Sequence, residues 1–105
     1  MQRLKYIQEM LKNEPNDSFL NYALALEYAK INDIPKAIEL IEGLLLRDGN
    51  YVGAYYQLGK YYEQIEQRQT AIDTYKKGIV IVQEMNNKKT LRELKEALQM
   101  LEDED

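Results

Sequence analysis

The 105-residue chain contains no cysteine, no histidine and no tryptophan. Without cysteine there is no disulfide framework and no thiolate nucleophile, a composition that fits a reducing compartment. Without histidine, the chain lacks the side chain that most often transfers protons near neutral pH. It also lacks a phosphate-binding glycine loop, a zinc motif and a nucleophile elbow. We therefore predict a protein that is not an enzyme and that has no cofactor and no metal site.

Basic residues and long apolar runs are also scarce. Fourteen Lys and Arg face eighteen Asp and Glu, so the formal net charge is -4. An acidic balance argues against nucleic acid, whose phosphates require a basic face, and against an anionic membrane surface. No run of about 18 apolar residues could span a bilayer, and the N-terminal segment lacks the unbroken apolar stretch of a signal peptide. We expect a cytoplasmic protein without nucleic-acid or membrane partners.

The chain does contain an internal repeat with a period of 34 residues. The first copy holds Tyr22, Leu24, Ala25, Tyr28, Ala37 and Ile38, and the second holds Tyr56, Leu58, Gly59, Tyr62, Ala71 and Ile72. A repeat of this length indicates one supersecondary unit that is copied and stacked. Such an architecture favours a binding surface over a catalytic pocket.

Turn signals divide the chain into six predicted helices, over residues 2–13, 18–31, 34–47, 51–65, 68–85 and 88–102. Pro15 ends the first helix and Asp17 is placed to cap the second. Pro35 fits the first turn of the third, and Gly49 is suited to a left-handed cap after it. The β-branched run at 78–82 favours a strand locally, but a lone strand would have no partner. The repeat register makes this run a helix.

The repeat resembles the tetratricopeptide repeat (TPR) family, and in particular short stand-alone bacterial TPR proteins. The second copy matches the family pattern at Tyr55, Leu58, Gly59, Tyr62, Ala71, Tyr75 and Gly78. The first copy matches at Leu24, Ala25, Tyr28 and Ala37, and departs from the pattern at Asn21, Ile41, Leu44 and Gly49. The resemblance implies an all-α fold, a right-handed superhelical stack of antiparallel helix pairs.

The same register divides the single TPR-like domain, residues 1–105, into four parts. Residues 2–17 are a partial repeat, 18–51 and 52–85 are full repeats, and 86–105 are a capping helix with an acidic tail. Within each pair, the small residues Ala25 and Gly59 allow the two helices to approach closely. We predict that four tyrosines pack in the core because large rings bury much area. They are Tyr28, Tyr55, Tyr62 and Tyr75.

In the TPR family, the first helices of the pairs line a concave groove that holds extended or helical peptides. The corresponding positions here are Tyr22, Leu26, Lys30, Tyr56, Lys60, Glu63 and Gln64. The two groove tyrosines and Lys60 offer stacking and a hydrogen-bonding handle to a peptide. The alternative is that these residues are an ordinary solvated helix face.

Some TPR domains hold the carboxylate end of a chaperone tail with paired Lys, Asn and Arg. Here Tyr22 and Leu26 stand in place of the first Lys and Asn, so we do not expect chaperone-tail recognition. The sequence predicts a non-catalytic scaffold or adaptor that binds a protein or peptide partner. The alternative is self-association through an exposed terminal helix, which would give a homodimer.

Overall fold

The computed structural model describes residues 2–104, and these residues form six α-helices and no strand. The helices are α1 (Gln2–Asn13), α2 (Ser18–Lys30), α3 (Ile34–Arg47), α4 (Gly53–Gln64), α5 (Arg68–Gln83) and α6 (Lys88–Glu102). Every end lies within two residues of its prediction, and the run at 78–82 is helical. Met1 and Asp105, the ends of the predicted domain and of its acidic tail, lie outside the described residues. Across 2–104, no helix combines the length and the apolar character needed to cross a membrane.

The chain forms two compact units, residues 1–49 and residues 50–105. In the N-terminal unit α2 packs on α3, and α1 packs on α2. In the C-terminal unit α4 packs on α5, and α6 packs mainly on α5. Each unit therefore contains one pair of helices from the repeat and one additional helix.

Two of the predicted helix signals, Asp17 and Pro35, are confirmed. The Asp17 carboxylate accepts a hydrogen bond of 2.8 Å from the backbone N–H of Leu20, which caps α2. Pro35 lies in the first turn of α3, where its missing N–H costs little. The left-handed cap at Gly49 is wrong, because no glycine in the described part of the chain has a positive φ. Asp48 ends α3 instead, and its backbone N–H donates to the carbonyl of Leu44 at 2.8 Å.

Left-handed backbone occurs instead at Asn32 (φ 64°) and Glu66 (φ 62°). These residues are one repeat period apart, and each lies in the turn that joins the two helices of a pair. Asparagine visits this conformation readily, whereas an ordinary side chain such as glutamate is strained in it. The two copies therefore share a turn geometry that suits Asn32 in the first copy and strains Glu66 in the second.

Close approach at the small residues is confirmed. Ala25 and Ala37 are fully buried, one on each helix of the α2–α3 pair. A Cβ built on Gly59 would overlap the ring of Tyr75, and one built on Gly78 would lie 2.7 Å from the Cβ of Tyr55. Because real Cβ atoms do not approach other carbons so closely, neither position has room for a side chain.

The tyrosine prediction is confirmed only in part. Tyr55 and Tyr75 are buried, with exposures of 2% and 0%. Tyr28 is partly exposed, although it packs on the cluster formed by Leu4, Ile7, Ala23 and Leu24. Tyr62 is also partly exposed, and its neighbour Tyr61 is buried in its place at 4% exposure. Adjacent helical residues point about 100° apart, so the orientation of α4 about its own axis decides which ring is covered.

Candidate functional site

Three of the predicted groove residues lie on one face of α4. Tyr56, Lys60 and Glu63 are spaced four and three residues apart, which places them in one row along a helix. The Lys60 ammonium lies 5.5 Å from the centre of the Tyr56 ring, within reach of a cation–π interaction. It also lies 3.9 Å from Oε2 of Glu63. The side chains of Lys60 and Glu63 are 37% and 27% exposed, so a partner could still contact them.

Tyr75 supports this face from α5. Its hydroxyl donates a hydrogen bond to Oε2 of Glu63, and its ring centre lies 6.5 Å from that of Tyr56. Burial, followed by the hydrogen bond to Glu63, raises the pKa of the Tyr75 hydroxyl well above its usual value. A hydroxyl that stays neutral remains a donor, so Tyr75 orients the Glu63 carboxylate. We call Tyr56, Lys60, Glu63 and Tyr75 the Tyr56 cluster.

Gln64, the other predicted groove residue of α4, is exposed in the last turn of the helix. Among the described residues, no hydrogen bond, ion pair or ring contact links Gln64 to the Tyr56 cluster. The structure therefore brings together three of the four groove residues predicted for α4. Tyr75 is an additional member, which the sequence analysis assigned to the core.

The predicted groove residues of α2 have different surroundings. Tyr22 and Leu26 are partly buried, and Lys30 is exposed. Nζ of Lys30 lies 3.0 Å from Oε2 of Glu27, and the same carboxylate oxygen lies 3.2 Å from Nε of Arg3 on α1. The hydrogen bond from Lys30 lowers the pKa of Glu27, assisted by the charges of Lys30 and Arg3 and opposed by desolvation. Lys30 thus already has a partner within its own unit.

Sequence reasoning missed Glu27 and Arg3. The spacing of Glu27 and Lys30, three residues apart on a helix, is a signal that could have predicted their ion pair. Nothing in the sequence indicates that Arg3 lies beside Glu27, because that contact depends on how α1 packs on α2. Within residues 2–104, no group of three acidic side chains could hold a metal ion.

The chain is similar to a tetratricopeptide repeat domain protein from Salinibacter ruber. Its crystal structure is 42% identical in sequence, matches 85% of this chain and 99% of that chain, and has a TM-score of 0.80. The chain belongs to the tetratricopeptide repeat family. A solution structure of a TPR domain protein from the same organism has 41% identity and a TM-score of 0.83, over 88% of this chain and 93% of that one. Both the resemblance to short bacterial TPR proteins and the all-α fold class are confirmed.

A more distant TPR structure shares the fold alone. The TPR2B domain of yeast Sti1, solved as a complex with pHsp70, has a TM-score of 0.88 at 24% identity. The match covers 97% of the TPR chain described here and 82% of the yeast domain. No protein-family model and no curated protein sequence matches the chain.

Proposed function

We propose that this TPR chain is a non-catalytic protein-interaction module that binds a peptide or a partner's helix on the face of its first helix α4. The observation that carries the proposal is the Tyr56 cluster. It presents an aromatic ring, a cation and a carboxylate side by side on α4, and these groups are partly exposed. The cytoplasmic location expected from the sequence stays a prediction.

The chemistry of the cluster fits a peptide. The face of Tyr56 can stack on an apolar or planar group, and Lys60 can donate to a backbone carbonyl or a carboxylate. Glu63, which Tyr75 holds in place, can accept from a backbone N–H or from a basic side chain. The Lys60–Glu63 pair is long at 3.9 Å and partly exposed. Such pairs contribute at most about 1 kcal/mol, so a ligand can replace this contact at little cost.

The predicted groove residues of α2 offer a different kind of contact. Tyr22 and Leu26 offer apolar surface, whereas Lys30 is held by Glu27. The TPR2B and TPR2AB domains of yeast Sti1 were solved as complexes with pHsp70 and pHSP90, which supports peptide binding as the class of function. A chaperone tail is not our candidate ligand, since Tyr22 and Leu26 replace the polar clamp residues.

Affinity capture from the native cell lysate tests the proposal. We compare the wild type with the double variant Tyr22→Ala/Tyr56→Ala, and use Leu46→Ala as the control because Leu46 is 89% exposed on α3. The wild type and the control should retain the same partner, and the double variant should lose it. Truncation of a central aromatic residue costs about 2 kcal/mol or more, which weakens binding about thirtyfold. Equal capture by all three proteins would contradict the proposal.

A further inference from the structure

An exposed stripe of side chains runs along α1. It consists of Arg3, Tyr6, Met10 and Asn13, which are spaced three, four and three residues apart. This alternation is the spacing of the seam between two packed helices. Tyr6 is 67% exposed and Met10 is 40% exposed, although both are large and apolar enough to favour burial. We call these four residues the α1 stripe.

The α1 stripe borders a groove between α1 and α2. The larger part of the groove, about 510 Å³, is lined by Met10, Asn13, Glu14, Asp17, Phe19 and Leu20. The smaller part is lined by Arg3, Tyr6, Ile7, Met10, Phe19, Leu20 and Ala23. Phe19, on the first turn of α2, is itself 63% exposed. The stripe and the groove therefore form one continuous surface with a large exposed apolar component.

The charges at the two ends of this surface are opposite. Arg3 lies at its N-terminal end, and Glu14 and Asp17 lie at its C-terminal end. The Nε of Arg3 faces Glu27, but a guanidinium has five N–H donors and can serve a second carboxylate. A second copy of α1, laid antiparallel on the first, would place its acidic end beside Arg3. A parallel copy would set like charges against each other.

From this self-complementarity we infer that the α1 stripe is the contact surface of a two-fold symmetric homodimer of this chain. In an antiparallel seam, each Tyr6 faces the Met10 of the other copy, and each Arg3 faces the other Asn13 with Glu14 beside it. The same contact is then made twice, as an isologous interface requires. A thioether against an aromatic ring is a favourable pair. The inference is independent of peptide binding by α4.

Sedimentation equilibrium over a micromolar to millimolar concentration series tests the dimer. The wild type should show reversible dimerisation, and Met10→Glu should raise the dimer dissociation constant at least about tenfold by placing a charge in the apolar seam. Leu46→Glu adds the same charge at a position on α3 that is 89% exposed, and it should dimerise like the wild type. Circular dichroism verifies that both variants remain helical. A wild type that stays monomeric, or equal damage from both substitutions, would overturn the inference.

Because the chain has no cysteine, crosslinking tests the geometry without background. Tyr6→Cys and Met10→Cys are prepared separately, mixed and oxidised. Disulfides should form faster between the two variants than within either one, as the antiparallel seam requires. Preferential crosslinking of each variant to itself would refute the antiparallel arrangement. Since α1 lies outside the Tyr56 cluster, failure of the dimer would leave the lysate experiment unaffected, and the reverse also holds.

Discussion

Substitution of Gly59 by alanine is the sharpest test of the packing. In a helix, alanine is normally preferred over glycine by about 1 kcal/mol. At Gly59, however, the new Cβ would overlap the ring of Tyr75. The Tyr75 ring can hardly move to make room, because it is fully buried and its hydroxyl donates a hydrogen bond to Glu63. Overpacking costs about 1–3 kcal/mol, and a rigid ring places this case at the upper end, so we expect a net loss of about 2 kcal/mol.

Urea unfolding followed by circular dichroism measures this loss. Gly43→Ala is the matched control, because the nearest atom to its new Cβ is the flexible Arg47 side chain at 3.6 Å. This control should gain up to about 1 kcal/mol from helix propensity. In a Tyr75→Leu background, which removes the ring, Gly59→Ala should cost much less, and a double-mutant cycle quantifies the coupling. If Gly59→Ala were as stable as the wild type, the close approach of α4 and α5 would be refuted.

Three further predictions concern a backbone conformation and two ionisable groups. Glu66→Gly should stabilise the chain by about 1 kcal/mol in urea unfolding, since φ is 62° there, and a lower urea midpoint would contradict this. Burial raises the pKa of Tyr75 above 10.0. The folded state is therefore stabilised by the neutral Tyr75 phenol below pH 10, and this stabilisation is lost as the pH rises further. Urea midpoints between pH 8 and about pH 11 should fall less in Tyr75→Phe than in the wild type, and identical profiles would refute this. The hydrogen bond from Lys30 lowers the pKa of Glu27 below 4.5. The ionised Glu27 therefore stabilises the folded state above that pH, and this stabilisation is lost as the pH falls. In urea unfolding, Glu27→Gln should reduce the loss of stability at acidic pH. The same loss in the variant and the wild type would count against the ion pair.

Much of the local structure could be predicted because its causes are local. The repeat period aligns the helices, Asp17 caps α2 through its own carboxylate, and Pro35 accommodates the first turn of α3. The small residues at Ala25 and Gly59 also follow from the repeat, since closely packed helices tolerate no larger side chain there. These features depend on neighbours within a few residues or on the repeat itself.

Asn21 shows where such reasoning ends. The sequence marks it as a departure from the aromatic pattern of the family. In the structure it is buried, with 7% exposure, and its amide donates to the carbonyl oxygens of Pro15 and Asp17 at 3.1 and 2.8 Å. A polar side chain can be buried when it finds such acceptors. The acceptors belong to the turn before α2, and their position does not follow from a pattern of residue types.

The amino-acid sequence by itself determined the family, the six helices and the face of α4 that carries Tyr56 and Lys60, because periodicity and capping act along the chain. Only the tertiary structure decided which groups meet across helices. In that structure Tyr61 is buried and Tyr62 is not. The Tyr75 hydroxyl donates to Glu63, and Arg3 forms an ion pair with Glu27. The physical reason is that such contacts depend on the rotation and separation of packed helices. Differences of a few ångströms there change a partner without changing any local preference.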